Sequence, residues 1–163
     1  MQWIDEKFKR NPLRFIAQSL LAFFAVGLIT FTASWLANGV IVAALGASAF
    51  IVFAMPKHDT AQPRRMLGGH TVCMGIGLIC SLPLRFGWLS GSDLSMALVA
   101  ATAVGLAIFI MVLTNTEHPP AAGNALAFAI GGLAIQHILF TAAAVCMLAL
   151  MHWILGDRLQ DLA

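Results

Sequence analysis

The sequence predicts an all-α protein, a polytopic membrane helix bundle of about five to six apolar segments, two of them short or discontinuous. Three observations predict it. Hydrophobic residues make up 60% of the chain and charged residues 10%, against roughly 25% charged in soluble domains. The mean hydropathy is +0.89. The apolar residues also fall into long runs separated by Gly, Pro and charge. With 163 residues and about 20 per crossing, a single membrane domain fills the chain and leaves no room for a separate catalytic domain.

The elements follow in order. Residues 1–14 read as an interfacial N-terminal segment on the cytoplasmic side, with Ile4 and Phe8 one turn apart beside Lys7. The run 15–36 is longer than a signal-peptide core and a second run follows it closely, so it reads as a retained span. The remaining apolar runs are 39–55, 67–84, 94–114, 120–132 and 133–155, so that 15–155 forms the membrane domain and 156–163 a short tail. The second and fifth runs are short, and 120–132 can either cross or re-enter.

Orientation comes from the basic residues. Lys7, Lys9, Arg10 and Arg14 precede the first span, Lys57, Arg64 and Arg65 lie between the second and third, and Arg85 stands alone after the third. The excess of Lys and Arg faces the cytoplasm, which places the N-terminus, the 56–66 loop and the polar stretch "NTEHPP" at 115–120 on that side. The arrangement of long, short and long segments suggests two three-segment inverted repeats, the short ones reading "GASAFIVFAM" and "AGNALAFAIG". Short, Gly- or Pro-interrupted segments in matching halves point to a transporter's binding site.

The chemistry concentrates at those segments. Pro119 and Pro120 end one span and are suited to open the next helix. That helix is expected to offer free amides, with Gly123 permitting close approach and Asn124 a side-chain donor. Gly46 and Ser48 mirror it. His70 and His118 are expected to face the site, and a Glu117–His118 pair would raise the basicity of His118. Arg64, which follows Pro63, ranks above Arg65 as a substrate contact, although both equally suit lipid phosphates. None of the acidic residues lies inside a span, so the pattern favours a small anion over a cation.

Other classes find less support. Cys73, Cys80 and Cys146 show no C-x-x-C spacing, no H-E-x-x-H motif occurs, and no nucleophile–base pair is evident. No enzyme, metal or cofactor is therefore expected, and no nucleic-acid surface is visible. The alternatives are a haem-binding electron-transfer protein using His70 with His137 or His152, or a non-transporting signalling or assembly subunit. Ala97, Ala101 and Gly105 on the fourth span, or Thr71 and Gly75 on the third, suit a helix contact in a homo-oligomer.

The blocks "LGASAFIVFAMP", "AQPRRMLGGH" and "EHPPAAGNAL", in this order, resemble the HPP family, named for its His-Pro-Pro. One departure is Ala-Ala-Gly-Asn where family members more often read Ala-Gly-Ala. The resemblance implies a small integral membrane protein whose plant and cyanobacterial relatives are linked to nitrite transport. Nitrite is accordingly the first candidate anion and a bacterial inner membrane the expected location. The residue pattern alone leaves nitrite, nitrate, formate, bicarbonate and chloride open, as it does channel or carrier.

Overall fold

The computed structural model describes residues 6–36, 39–131 and 134–162. It contains seven α-helices, among the described residues, and no strand: α1 (Glu6–Arg10), α2 (Pro12–Leu36), α3 (Gly39–Ala54), α4 (Pro63–Arg85), α5 (Asp93–Thr114), α6 (Ala122–Gly131) and α7 (Ile135–Leu155). Short 3₁₀ turns at Asp59–Ala61 and Pro119–Ala121 precede α4 and α6. Helices α2, α4, α5 and α7 are long and apolar enough to cross a membrane. The expected membrane bundle is thus present, and Ile4 lies outside the described residues.

Local sequence explains the boundaries. Pro12 and Pro63 stand at helix starts, where a missing N–H costs nothing. The Pro63 start carries α4 back over Arg64 and Arg65, which the sequence reading left in the loop. Ser92 caps α5 by accepting from the Ser95 amide, and Asp93 sits in its first turn. Asn115, with φ of 55°, ends α5 in the left-handed region that Asn tolerates, and the Thr116 amide closes back on the Met111 carbonyl at 2.9 Å.

The loops define one end of the bundle. His118 meets the Thr60 carbonyl, His152 near the end of α7 meets the Pro56 carbonyl, and Lys57 Nζ donates to the Gly156 carbonyl. Helix α3 therefore arrives at this end, α6 leaves it and α7 returns to it. The tail then crosses the ends of α2 and α3. Buried Gln18 donates to the Phe53 and Gln160 carbonyls, accepts from the Gln160 amide, and the Leu162 amide donates to the Ala54 carbonyl.

With only 10 residues, α6 rises about 15 Å, half of a hydrocarbon core of about 30 Å. It is held by small residues. A Cβ on Gly77 of α4 would lie 2.7 Å from the Ala125 carbonyl oxygen, and one on Gly69 would lie 2.8 Å from that of Thr116. On the other side, a Cβ on Gly123 would meet Ala44 of α3 at 3.0 Å. Gly69, Cys73, Gly77 and Ser81 form the buried stripe of α4, and their size lets backbones approach where no hydrophobic force drives helices together. Thr71 is exposed and Gly75 half-buried, while Ala97, Ala101 and Gly105 form an outward face of α5.

Candidate functional site

Where α3, α4 and α6 meet the loop before α6, four polar side chains are brought together inside the bundle. Ser48 comes from α3, His70 from α4, His118 from the residue before Pro119, and Asn124 from the first turn of α6; none is more than 1% exposed. The helical period places them. Ser48 lies one turn from Ala44, which touches Gly123, so the contact between the two short helices sets Ser48 and Asn124 beside the α4 stripe.

Hydrogen-bond geometry assigns the protons. His118 Nδ1 lies 2.7 Å from the Thr60 carbonyl, which can only accept, so Nδ1 carries the hydrogen and Nε2 is the acceptor. At the other end, Asn124 Nδ2 donates to His70 Nδ1 over 2.8 Å, so neutral His70 carries its hydrogen on Nε2. That Nε2–H donates to Ser48 Oγ at 3.0 Å, and the Ser48 hydroxyl donates to His118 Nε2 at 2.9 Å. The donors run in one sense from Asn124 through His70, Ser48 and His118 to Thr60. The Ala44 carbonyl, 3.0 Å from Ser48 Oγ, is the hydroxyl's second possible acceptor. The imidazole centroids stand 5.2 Å apart with a 49° tilt.

Burial holds the His118 imidazole below its ordinary range, although the hydrogen bond to Thr60 opposes this. Glu117 does not pair with His118 as the sequence suggested. Its carboxylate is taken by Arg65 Nη1 at 2.6 Å, and Arg65 also lies 3.8 Å from Asp59. Arg64, preferred in the sequence reading, is exposed, whereas Arg65 is the half-buried one.

The start of α6 differs from its expected form. Pro119 and Pro120 have no N–H, the Ala121 amide donates to the His118 carbonyl at 2.9 Å, and the Ala122 amide bonds the Pro119 and Pro120 carbonyls. The 3₁₀ turn thus takes up amides that an α-helical start would leave free. Gly123 leaves room for Ala44. Gly46 is half-buried with open space where a Cβ would stand, away from the four hydrogen-bonded side chains.

Beside the cluster, Ile108, Met111, Val112, Glu117, His118, Pro119 and Ala122 line a cavity of about 280 Å³. Among the described residues, nothing donates to Asn124 Oδ1. Both nitrogens of His70 are engaged, leaving no lone pair for an iron; His152 Nε2 is held by Pro56, while its buried Nδ1 has no partner among the described residues. His137 is half-buried in the first turn of α7. Among the described residues no group of three or more His, Cys, Asp or Glu could hold a metal ion.

Sequence reasoning missed Thr60 and the Arg65–Glu117 pair. Arg65 stands four residues before Gly69 and eight before Cys73, on the face of α4 that becomes buried, and that spacing was the available signal.

The HPP transmembrane region matches residues 8–160. The chain is also 33% identical over 92 residues to a transmembrane protein of Dictyostelium discoideum, covering 56% of this chain and 30% of that protein. A second transmembrane protein of the same organism is 34% identical over 86 residues, covering 53% of this chain and 26% of its own length. This chain therefore spans under a third of either relative. No solved structure matches it.

Proposed function

Because the chain belongs to the HPP transmembrane family, we propose that this integral membrane protein carries a small inorganic anion, nitrite first among the candidates, across the membrane without chemical conversion. One observation supports the reading above others: four wholly buried polar side chains from four separate segments converge inside an apolar bundle. Polar groups at membrane depth are costly and face pathways or partners. Here they lie where the two short helices cross, the position that an inverted three-segment repeat assigns to a substrate site.

The site in this reading comprises Ser48, His70, His118 and Asn124, approached past Glu117 and Pro119. Arg65 acts at one remove by holding Glu117. The loops gathered at the His118 end face the cytoplasm, in keeping with Lys57, Arg64 and Arg65 there. The outward face of α5 with Ala97, Ala101 and Gly105 takes a second copy.

The test is flux of nitrite, nitrate, formate and chloride into liposomes containing the pure protein. Nitrite entry faster than into protein-free liposomes, abolished in a folded His70→Gln, His118→Gln double variant, is expected. Equal rates with and without protein would remove the reading.

A further inference from the structure

The charges and orphan groups around the cluster narrow the substrate class. A bare anion in the bundle needs a cation or free donors to replace its water, and its desolvation is otherwise costly. Most of the nearby donors are committed. Arg65 is held by Glu117 and lies close to Asp59, and Arg64 is exposed. The Ala121 and Ala122 amides close back on the chain, and the two prolines before them have none. His118 Nδ1–H is given to Thr60, His70 Nε2–H to Ser48, and one of the two Asn124 Nδ2 hydrogens to His70. In this proton arrangement the four side chains carry no net charge.

The one atom of the cluster with no partner at all, among the described residues, is an acceptor. Asn124 Oδ1 is wholly buried and, among the described residues, receives no hydrogen bond, which is unfavourable for a buried carbonyl. The cavity of about 280 Å³ beside His118 and Pro119 has Glu117 in its lining, its carboxylate paired with Arg65. An anion oxygen would face these groups lone pair to lone pair. An O–H would donate to them.

We propose, building on the transport reading, that the substrate passes as the protonated, uncharged form of a weak oxyacid, its O–H donating to Asn124 Oδ1. The acid enters the cavity beside His118 and Pro119, is held at Asn124, and leaves with the same proton, which it releases into the water on the far side. One proton accompanies each anion and no net charge crosses. Nitrous and formic acids are weak and pass, while nitrate and chloride, the anions of strong acids, do not.

The experiment uses wild-type protein in liposomes at mildly alkaline pH, with a pH-sensitive dye inside and the potential clamped by a potassium ionophore. Inward gradients of nitrite or formate are expected to acidify the lumen at least tenfold faster than in protein-free liposomes, at a rate independent of the clamped potential. Nitrate and chloride should move at the protein-free rate. Nitrate or chloride flux that matches nitrite, or nitrite flux that follows the potential, overturns the proposal while leaving transport standing. No protein-dependent flux of any anion overturns both.

The residue assignment has its own arm. Asn124→Leu, with Asn124→Ala as the smaller alternative, is measured in whichever variant elutes and melts as wild type. Nitrite flux should fall at least tenfold, and an unchanged rate removes Asn124 from the proposal.

Discussion

Ser48→Ala removes the one atom that joins the two histidines. Its hydroxyl lies 3.0 Å from His70 Nε2 and 2.9 Å from His118 Nε2, so the substitution leaves one buried donor and one buried acceptor without partners. In water-soluble proteins each such group costs about 1–3 kcal/mol, whereas interhelical hydrogen bonds in membranes average only about 0.6. The membrane average is low because polar groups elsewhere find other partners. Here both imidazoles are fully enclosed, and their second nitrogens are already bonded to Thr60 and Asn124. The loss should therefore exceed the summed membrane average of about 1.2 kcal/mol and reach about 2–3 kcal/mol. At 1.4 kcal/mol per decade, that shifts the unfolding equilibrium by roughly 30- to 150-fold. Reversible unfolding in mixed micelles, followed by helical circular dichroism, measures it. Thr141→Val is the control, because among the described residues the buried Thr141 hydroxyl bonds only its own helix at the His137 carbonyl; it should cost under about 1 kcal/mol. A cycle of Ser48→Ala with Asn124→Leu should show coupling of about 0.5–3 kcal/mol through His70, which both contact. A loss under about 0.5 kcal/mol, or strict additivity, would refute the shared network.

His118 gives a pH test with a definite sign. Burial lowers its pKa, so the unfolded chain binds the extra proton first; stability is complete above about pH 6.5 and falls as the pH drops toward the depressed native value. A folded His118→Gln variant should lose that component of the acid slope, as read from melting temperature against pH. Gly77→Ala should destabilise by about 1–3 kcal/mol, because its Cβ would stand 2.7 Å from the Ala125 carbonyl. Gly75→Ala, with nothing within 4 Å of its Cβ, should be neutral or gain up to about 1 kcal/mol of helix propensity; equal effects in thermal melts would contradict the packing of α6 on α4. Arg64→Cys, exposed at the start of α4, should resist an impermeant thiol reagent outside intact cells, and external labelling would reverse the orientation.

The membrane class and most of the helix boundaries were legible from hydropathy and breakers. The apolar runs 94–114 and 39–55 agree with α5 and α3 to within a residue, because Ser92, Asp93 and Pro56 mark their limits locally. His70, Ser48, His118 and Asn124 were legible as residue types out of place in an apolar chain. Their mutual order was not, since it depends on how closely α3, α4 and α6 approach, and Gly77, Gly69 and Gly123 set that distance through contacts remote in sequence. Proline likewise announced a new helix at 119, but not that a 3₁₀ turn would use up its first amides. Gln18 went unread inside the apolar run 15–36, and nothing local identifies residue 160 as its partner.

That last contact bears on how the molecule assembles in time. Gln18 and Gln160 lie 142 positions apart, and a contact at such separation forms only after the intervening chain has been synthesised, inserted and ordered. Helix α2 can meet α3 early, since Gln18 also bonds Phe53 at 2.6 Å, but its remaining amide hydrogen and its carbonyl wait for the tail. Until then the carbonyl of Ala54 lacks the Leu162 amide that later meets it. Helix α2, although early in this sequence, is thus among the last to be locked. An insertion intermediate ending before residue 156 would hold α2 loosely, exposed to exchange with other helices and to membrane proteases that recognise unanchored spans.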